Sequence, residues 1–263
     1  PNKLVPENMA ARRNAVTHNL YELGSTFKPL TIAAAIDAGT VTSMARRYDA
    51  TQPLAIAGFR IRDSHPSNRW LNVPETLIHS SNIVTARISD ELGREKMEAM
   101  FRSLDFDTRP KIDIKERAFP IWPKDWGRLT TMTTGYGHGI AVTPLHLASA
   151  YAALVNGGIY RPATITKLGD QAPPKGHRVF KAATSARMRQ LLRLIVSDGT
   201  GKKAEAPGFR VGGKTGSAEK PGIGGYRRSS VVATFAAAFP MDNPRYVVLV
   251  MIDEPKGNAY SSG

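Results

Sequence analysis

Ser25-Thr26-Phe27-Lys28, Ser80-Ser81-Asn82 and Lys214-Thr215-Gly216 are, taken together, the most informative part of this chain. In chain order, these stretches supply a serine with a lysine three residues later, a second hydroxyl with an amide, and a cation followed by glycine. An acyl-transfer enzyme needs these groups when it attacks a peptide through serine and uses lysine as the base. The set therefore predicts nucleophilic serine chemistry.

The S-x-x-K pattern occurs twice, at Ser25 to Lys28 and at Ser217 to Lys220. A nucleophile and its base must be hydrogen-bonding neighbours. Residues i and i+3 share a face on a helix and point to opposite faces on a strand. The first copy opens a segment from Ser25 to Ala38 that has helical spacing, a proline in its first turn and Gly39 after it. The second copy lies in an extended-looking stretch, so we expect only the first pair to lie side by side.

The composition is that of a folded protein with a basic surface. The chain has 263 residues, no cysteine and a formal net charge of +14, which allows one large domain or two small ones. Absence of cysteine excludes disulfides and thiolate metal sites. The histidines show no H-E-x-x-H spacing, so we expect neither a metal nor a cofactor. No apolar run approaches the ~20 residues of a membrane span.

Basic residues are scattered in pairs such as Arg12-Arg13 and Lys202-Lys203. Nucleic-acid binding needs a concentrated basic stripe, often with aromatic residues, so we do not expect a nucleic-acid partner. The positive charge is explained by solubility or by a cleft that attracts an anionic substrate.

The rest of the pattern predicts helices first and an antiparallel meander last, which is an α+β architecture with a sheet flanked by helices. Residues 40–73 and 105–135 are interpreted as irregular. The predicted helices are two short ones from Val73 to Leu92 that meet near Ser80 and Ser81, then Lys96–Leu104, Thr143–Asn156 and Thr184–Ser197. The predicted strands are a short one within Tyr160–Leu168 and three others near 209–219, 229–239 and Tyr246–Ile252.

Gly208 to Thr215 matches the phosphate-binding pattern G-x-x-x-x-G-K-T, so a P-loop nucleotide hydrolase is a rival interpretation. That site requires a strand before the loop and a helix after it. The upstream residues are polar, and Ser217 to Gly225 contains one proline and several glycines. Both features argue against a nucleotide site. Likewise, Gly135-Tyr136-Gly137-His138-Gly139 is interpreted as a close-packed turn and not as a dinucleotide loop.

Taken as a set, the motifs resemble the transpeptidase domain of a class B penicillin-binding protein. Tyr21 through Pro29 resembles that family's nucleophile motif, and Gly137 through Leu145 resembles a segment typical of class B members. Ser80-Ser81-Asn82 favours the division-specific (septal) group. The resemblance covers nearly the whole chain. It implies a single transpeptidase domain over residues 1–263, with a β-lactamase/transpeptidase-like fold that includes an all-helical subdomain.

The resemblance also implies a role for each motif residue. Ser25 would attack the carbonyl of a D-Ala-D-Ala stem peptide, and Lys28 would be its base. Ser80 would relay the proton to the leaving amine, and Asn82 would hold the substrate amide and the lysine. Ser81 is expected to be a helix cap.

The third motif is expected to bind the negatively charged end of the substrate. Lys214, Thr215 and Ser217 would bind the terminal carboxylate of the donor peptide or of a β-lactam. Gly216 would let the substrate pair closely with the strand edge. Backbone N–H groups of Ser25 and Ser217 would form the oxyanion hole.

The implied reaction is formation of an acyl-enzyme with release of D-alanine, followed by attack of an amine from a neighbouring stem peptide. β-Lactams would acylate the same serine. The implied location is the periplasmic side of the bacterial inner membrane, with the anchor and the contacts to division-complex membrane proteins outside this chain. A serine β-lactamase or a D,D-carboxypeptidase on the same fold remains an alternative. A lactamase needs a base that activates water, and no glutamate here has a context that assigns it that role.

The chain departs from the family at its ends. The family has a strand pair before the nucleophile helix and a helix at the C-terminus, whereas only 24 residues precede Ser25 and the sequence stops at Gly263. Because it begins at Pro1 and shows no signal peptide, we interpret the sequence as an internal fragment of a longer product. The Tyr246–Ile252 strand would then lack its neighbour, and an open apolar edge invites aggregation.

Overall fold

The computed structural model describes residues 13–222 and 225–256. The helices are α1 (Ala15–His18), α2 (Lys28–Asp37), α3 (Val73–Ile78), α4 (Asn82–Leu92), α5 (Arg94–Ser103), α6 (Arg128–Thr134), α7 (Pro144–Val155) and α8 (Ala182–Ser197). Short 3₁₀ turns cover Gly24–Phe27 and Lys202–Ala204. The strands are β1 (Arg47–Asp49), β2 (Leu54–Ile56), β3 (Phe59–Ile61), β4 (Trp70–Asn72), β5 (Ile159–Tyr160), β6 (His177–Arg178), β7 (Gly212–Gly222), β8 (Gly225–Phe239) and β9 (Tyr246–Asp253).

The predicted meander is confirmed as an antiparallel sheet in the order β7-β8-β9. Its register places Lys214 opposite Ala236 and Ala236 opposite Leu249. The first strand begins later than predicted. Phe209 donates its backbone N–H to Ala206 in a turn, and Arg210 has φ +42°, so the chain becomes extended only at Gly212.

Helix α2 is the centre of the molecule. Residues 28–35 are all buried, as expected for a helix that is surrounded by other elements. The predicted start at Ser25 differs in detail, because residues 24–27 form a 3₁₀ turn that leads into the α-helix. The ring centroid of Phe27 lies 5.6 Å from that of Phe101 and 5.4 Å from that of Phe106. These aromatic contacts hold the 3₁₀ turn against the helical part of the core.

The strongly patterned helices were predicted correctly. Helices α3 and α4 meet at Ser80 and Ser81. Thr143 caps α7, with its hydroxyl oxygen accepting the backbone N–H of His146 at 3.3 Å and Pro144 in the first turn. Helix α8 buries the predicted apolar face, Met188, Leu191, Leu192 and Ile195.

Three regions differ from the prediction. Residues 40–73 hold two small sheets, β1 with β4 and β2 with β3. Helix α6 lies in a region interpreted as irregular, because its threonine-rich sequence has low helix propensity and is held by burial of Thr131, Met132 and Thr134. The strand expected in Tyr160–Leu168 ends at Tyr160, two residues before Pro162, which has no backbone N–H to give to a ladder.

Among the described residues, β9 pairs with β8 alone. Its outward side chains are largely exposed, with Tyr246 at 62% and Val250 at 52%, while Val247 and Leu249 pack on the core. Aggregation through this edge stays a prediction. The expectation of a missing strand pair and C-terminal helix concerns, in part, residues 1–12 and 257–263, which lie outside the described residues.

The turn at Gly137 packs directly on the turn that precedes α2. Gly137 has φ +83°, and a Cβ placed there would lie 2.2 Å from the carbonyl oxygen of Gly24. The backbone N–H of Gly24 donates to the carbonyl of Gly137 at 3.3 Å. The interpretation of residues 135–139 as a close-packed turn is therefore confirmed, and only glycine fits at this contact.

We predict that Gly137→Ala lowers the free energy of unfolding by about 2–4 kcal/mol, from a left-handed backbone penalty of roughly 1–2 kcal/mol plus overpacking of similar size. Gly58→Ala is the matched control, because Gly58 has φ +79° with no atom within 4 Å of an added Cβ. It should show the backbone penalty alone. Urea denaturation of both variants measures the difference, and equal losses would contradict the proposed contact.

Candidate active site

The 3₁₀ turn at Gly24–Phe27 places Ser25 and Lys28 together. The backbone N–H of Lys28 donates to the carbonyl of Ser25. Side chains at i and i+3 of a 3₁₀ turn lie on the same side of the turn, so we expect the side chains of Ser25 and Lys28 to be neighbours. The side chain of Lys28 is completely buried, whereas Ser25 is half-buried.

Buried hydrogen bonds hold the 3₁₀ turn at Gly24–Phe27 in place on its core side. The hydroxyl of Tyr151, a completely buried residue on α7, donates to the carbonyl of Thr26 at 2.9 Å. The hydroxyl of Thr26 donates to the carbonyl of Leu23 at 2.9 Å. Ser25 is therefore presented on a rigid support, which is what a nucleophile requires for a fixed angle of attack.

Lys28 reaches the second motif. Its Nζ donates to the carbonyl of Ser80 and to the Ser80 hydroxyl, the latter at 3.1 Å. Ser80 lies between α3 and α4 with φ +57°, a left-handed conformation that is uncommon for serine. The structure therefore brings together the candidate base and the candidate proton relay.

Ser81 and Asn82, the other two residues of the second motif, make hydrogen bonds with neighbouring segments of the chain. Ser81 caps α4, with its hydroxyl oxygen accepting the backbone N–H of Val84 at 3.1 Å, as predicted. The amide nitrogen of Asn82 donates to the carbonyl of Arg62 at 2.9 Å. The role expected for Asn82, holding the substrate and the lysine, stays a prediction.

The third motif lies on β7, beside the nucleophile turn. Lys214 is completely buried, and its Nζ donates to the carbonyl of Thr215 at 3.0 Å. The hydroxyl of Thr215 donates to the hydroxyl of Thr200 at 2.9 Å, and Ser217 is exposed. The three candidate carboxylate-binding residues therefore differ in their access to solvent.

Packing explains why residue 216 is glycine, in addition to the close substrate pairing expected from the sequence. A Cβ at this position would lie 2.6 Å from the carbonyl oxygen of Leu23 and 2.8 Å from Cγ2 of Thr26. The strand can approach the nucleophile turn this closely only because residue 216 has no side chain. This contact connects the first and third motifs.

Four titratable groups share one electrostatic environment. Burial lowers the pKa of Lys28 well below its ordinary value of 10.5, the charge of Lys214 lowers it further, and Asp63 opposes the shift. Burial lowers the pKa of Lys214 to about 7. Burial, followed by the charge of Lys28, lowers the pKa of His138 to about 4. A lysine held in this way can be a neutral amine, and therefore a base, near neutral pH.

Sequence reasoning missed three residues of this environment. Asp63 lies in a loop-like run, and Tyr151 has the spacing of an ordinary core residue. His138 belongs to the turn at residues 135–139 and to the segment that resembles class B members, but neither pattern indicates an electrostatic interaction with Lys28. Their proximity to the motifs depends on packing between distant segments.

Strand β7 shows that neither the second S-x-x-K pattern nor the phosphate-binding pattern forms the site that its sequence would indicate. Ser217 and Lys220 both lie on β7, and the ammonium of Lys220 pairs with the carboxylates of Asp253 and Glu254, the latter at 3.1 Å. Lys214 and Thr215 lie inside the same strand, where a phosphate-binding loop would need the start of a helix. The geometry therefore excludes a phosphate-binding loop at Gly208 to Thr215.

Residues 13–222 and 225–256 lack two kinds of feature, a metal-binding cluster and a membrane-spanning helix. In this part of the chain, no group of three or more histidine, aspartate or glutamate side chains could hold a metal ion. In the same part, no helix has the length and apolar character needed to cross a bilayer.

A family model described as the penicillin binding protein transpeptidase domain matches residues 1–263. The chain belongs to this family. The resemblance inferred from the three motifs is therefore confirmed for the transpeptidase family as a whole.

Curated relatives of the transpeptidase family match over most of the chain. It is 42% identical to the probable peptidoglycan D,D-transpeptidase FtsI of Caulobacter vibrioides, covering 96% of this chain and 44% of that protein. It is 34% identical to the probable peptidoglycan D,D-transpeptidase PenA of Neisseria gonorrhoeae, covering 100% and 45%. Stage V sporulation protein D of Bacillus subtilis is 31% identical, with 95% and 41% covered. The chain thus spans less than half the length of these relatives.

Solved transpeptidase structures confirm the α+β fold. The TP domain of penicillin-binding protein 3 from Burkholderia pseudomallei superposes with a TM-score of 0.89 at 34% identity, covering 96% of this chain and 77% of that one. Penicillin-binding protein 3 of Mycobacterium tuberculosis, solved in complex with aztreonam, gives 0.84 at 28% identity, covering 92% and 58%.

We predict that the free energy of unfolding rises between pH 7.0 and 9.5, and that Lys214→Met makes this rise smaller. The pKa of Lys214 is about 7 in the folded protein and 10.5 ordinarily. Between these values the unfolded chain binds more protons, so stability increases with pH by at most about 1.4 kcal/mol per unit for each such lysine.

Lys220→Met is the control for this prediction, because carboxylate partners raise the pKa of Lys220 in spite of its partial burial. The stabilisation from Lys220 is lost only above pH 10.5, so this variant should keep the full rise. Urea denaturation at each pH measures the effect. A Lys214→Met profile parallel to that of the wild type would show that Lys214 is charged in the fold.

Proposed function

We propose that this chain is the catalytic part of a peptidoglycan D,D-transpeptidase of cell division, which cross-links stem peptides through an acyl-enzyme on Ser25. β-Lactams would acylate the same serine. The single observation that supports this most strongly is the placement of Lys28. Its side chain is completely buried, its backbone N–H donates to the carbonyl of Ser25, and its Nζ donates to the Ser80 hydroxyl at 3.1 Å.

The first half of the reaction uses this placement directly. Neutral Lys28 takes the proton of the Ser25 hydroxyl while Oγ attacks the carbonyl between the two D-alanines. The proton passes through the Ser80 hydroxyl to the leaving nitrogen, and the C–N bond breaks. The products are an ester on Ser25 and free D-alanine. In the second half, the amine of a neighbouring stem peptide attacks the ester and loses a proton to the same base. The bond between the acyl carbon and Oγ of Ser25 then breaks, and the base returns the proton to Oγ, which leaves the cross-linking amide and the free serine.

The β7 strand would bind the donor peptide. Lys214, Thr215 and Ser217 are proposed to hold its terminal carboxylate, and Asn82 its amide. Gly216 would allow close pairing along the strand. Backbone N–H groups of Ser25 and Ser217 would stabilise the oxyanion, and loss of one such donor typically costs 10²–10³ in rate.

The setting of the domain is likewise a proposal. Residues 1–263 would form one transpeptidase domain of a longer protein that is held on the periplasmic side of the inner membrane. Division-complex membrane proteins would bind through other parts of that protein. The likeness to FtsI supports the division assignment, as does asparagine at position 82.

We predict that labelled penicillin forms a covalent adduct with the protein and that Ser25→Ala abolishes it. Lys28→Met should retain the serine but acylate at least about 10²-fold more slowly, since a general base contributes roughly 10²–10⁴. Lys220→Met, from the second S-x-x-K pattern, should acylate like the wild type. Gel fluorescence over time gives the rates, and peptide mass spectrometry locates the adduct.

Two results would count against this proposal. An adduct that persists in Ser25→Ala would remove Ser25 from the nucleophile's role. Rapid, repeated hydrolysis of nitrocefin by the wild type would favour the serine β-lactamase alternative, because a transpeptidase releases the acyl group slowly to water.

A further inference from the structure

We propose that Asp63 is a positioning residue of this active site, whose buried carboxylate holds the Ser80-Ser81-Asn82 turn so that both oxygens of Ser80 face Lys28. This inference rests on the proposed function, since it assigns a residue to the same proton pathway. Asp63 belongs to none of the three motifs and lies in the connection between β3 and β4.

The carboxylate of Asp63 bridges the start of α4 with both of its oxygens. The Asp63 side chain is buried, with 8% of the residue exposed. Its Oδ2 accepts the hydroxyl of Ser81 at 2.8 Å, and its Oδ1 accepts the backbone N–H of Ile83 at 3.0 Å. That N–H is one of the donors that a helix leaves unpaired at its N-terminus. The preceding carbonyl, of Arg62, accepts the amide of Asn82 at 2.9 Å.

These contacts fix a conformation that serine rarely adopts. Ser80 has φ +57°, and such backbones persist only when the surroundings determine them. On the other side of the turn, the N–H of Ser80 donates to Leu77 at 3.2 Å and that of Ser81 to Thr76 at 2.9 Å. With the turn held from both sides, the carbonyl and hydroxyl of Ser80 both accept from Nζ of Lys28.

Asp63 also affects the charge of Lys28. Among the described residues, two charged groups shift the pKa of this lysine: Lys214 from β7 and Asp63. His138, from the turn at residues 135–139, is close enough for the charge of Lys28 to lower its own pKa. Lys214 lowers the pKa of Lys28, and Asp63 raises it. The carboxylate therefore stabilises the protonated amine, which must form when Lys28 takes the proton of Ser25.

The test is the rate of acylation by labelled penicillin as a function of pH, with the 263-residue chain. Asp63→Asn removes the charge, so the pKa of Lys28 falls and the acid limb of the profile should move to lower pH by roughly 0.5–1 unit. The plateau rate should fall about tenfold or more, because the turn loses its support. Ser81→Ala removes the hydrogen bonds of the hydroxyl with Asp63 and with Val84 but keeps the charge of Asp63, so its acid limb should stay in place.

Asp113→Asn is the matched control. The carboxylate of Asp113 is also an acceptor, for the hydroxyl of Thr164 at 2.7 Å and the N–H of Ile165 at 2.9 Å. It plays no part in the proposed proton pathway, so its profile should match that of the wild type. If Asp63→Asn does not fold, Asp63→Glu keeps the charge and should lower the plateau without moving the acid limb.

An acid limb that does not move in a folded Asp63→Asn variant would overturn the proposal, whatever happens to its stability, because it would show a structural role alone. A wild type that forms no adduct would instead contradict the proposed function. The titration of Lys28 by ¹³C NMR, which needs no substrate, would then decide the role of Asp63. A lower midpoint in Asp63→Asn than in the wild type supports it, and an equal midpoint overturns it.

Discussion

The burial of Lys28 beside a second buried lysine, Lys214, is the constraint on which this structure depends. Taking an ammonium group out of water is unfavourable unless its charge is compensated or lost. Here the pKa of both lysines is lowered by burial, and that of Lys28 also by the neighbouring cation. The fold therefore maintains an amine that can accept a proton near neutral pH. It can do so only while the surrounding segments keep water out.

Three distant segments meet at this amine, and each is held by contacts of its own. The nucleophile turn rests on Tyr151 and on the aromatic ring of Phe27. The Ser80 turn is held by helix-cap contacts, and strand β7 is brought close by glycine at position 216. Rigid support of this kind gives a serine nucleophile its reactivity, because the reacting groups lose little freedom on reaching the transition state. The stability of the core and the chemistry of the site are thus properties of the same contacts.

Much of the fold could be predicted because its main elements carry local patterns. Helix α7 has an N-cap threonine and a proline in its first turn, and α8 has a clear apolar face. The strands of the final meander are separated by turns that contain glycine or proline. The candidate site residues were found because each belongs to a short motif. By contrast, α6 is helical only because tertiary contacts bury its threonines. The 3₁₀ form of the turn at Ser25 cannot be predicted from the spacing of apolar residues. The contacts of Asp63 and His138 with this site depend on the packing of segments far apart in the sequence, which no local pattern encodes.

The pKa of Lys28 tests most directly whether the fold maintains a neutral amine beside Ser25. The protein can be labelled with ¹³C at lysine Cε and titrated by NMR, with the Lys28 resonance assigned from its absence in Lys28→Arg. We predict a midpoint well below the ordinary lysine pKa of 10.5, and a higher midpoint when Lys214 is replaced by methionine, because the charge of Lys214 lowers the pKa of Lys28. A Lys28 resonance that titrates near 10.5, unaffected by Lys214, would contradict this prediction.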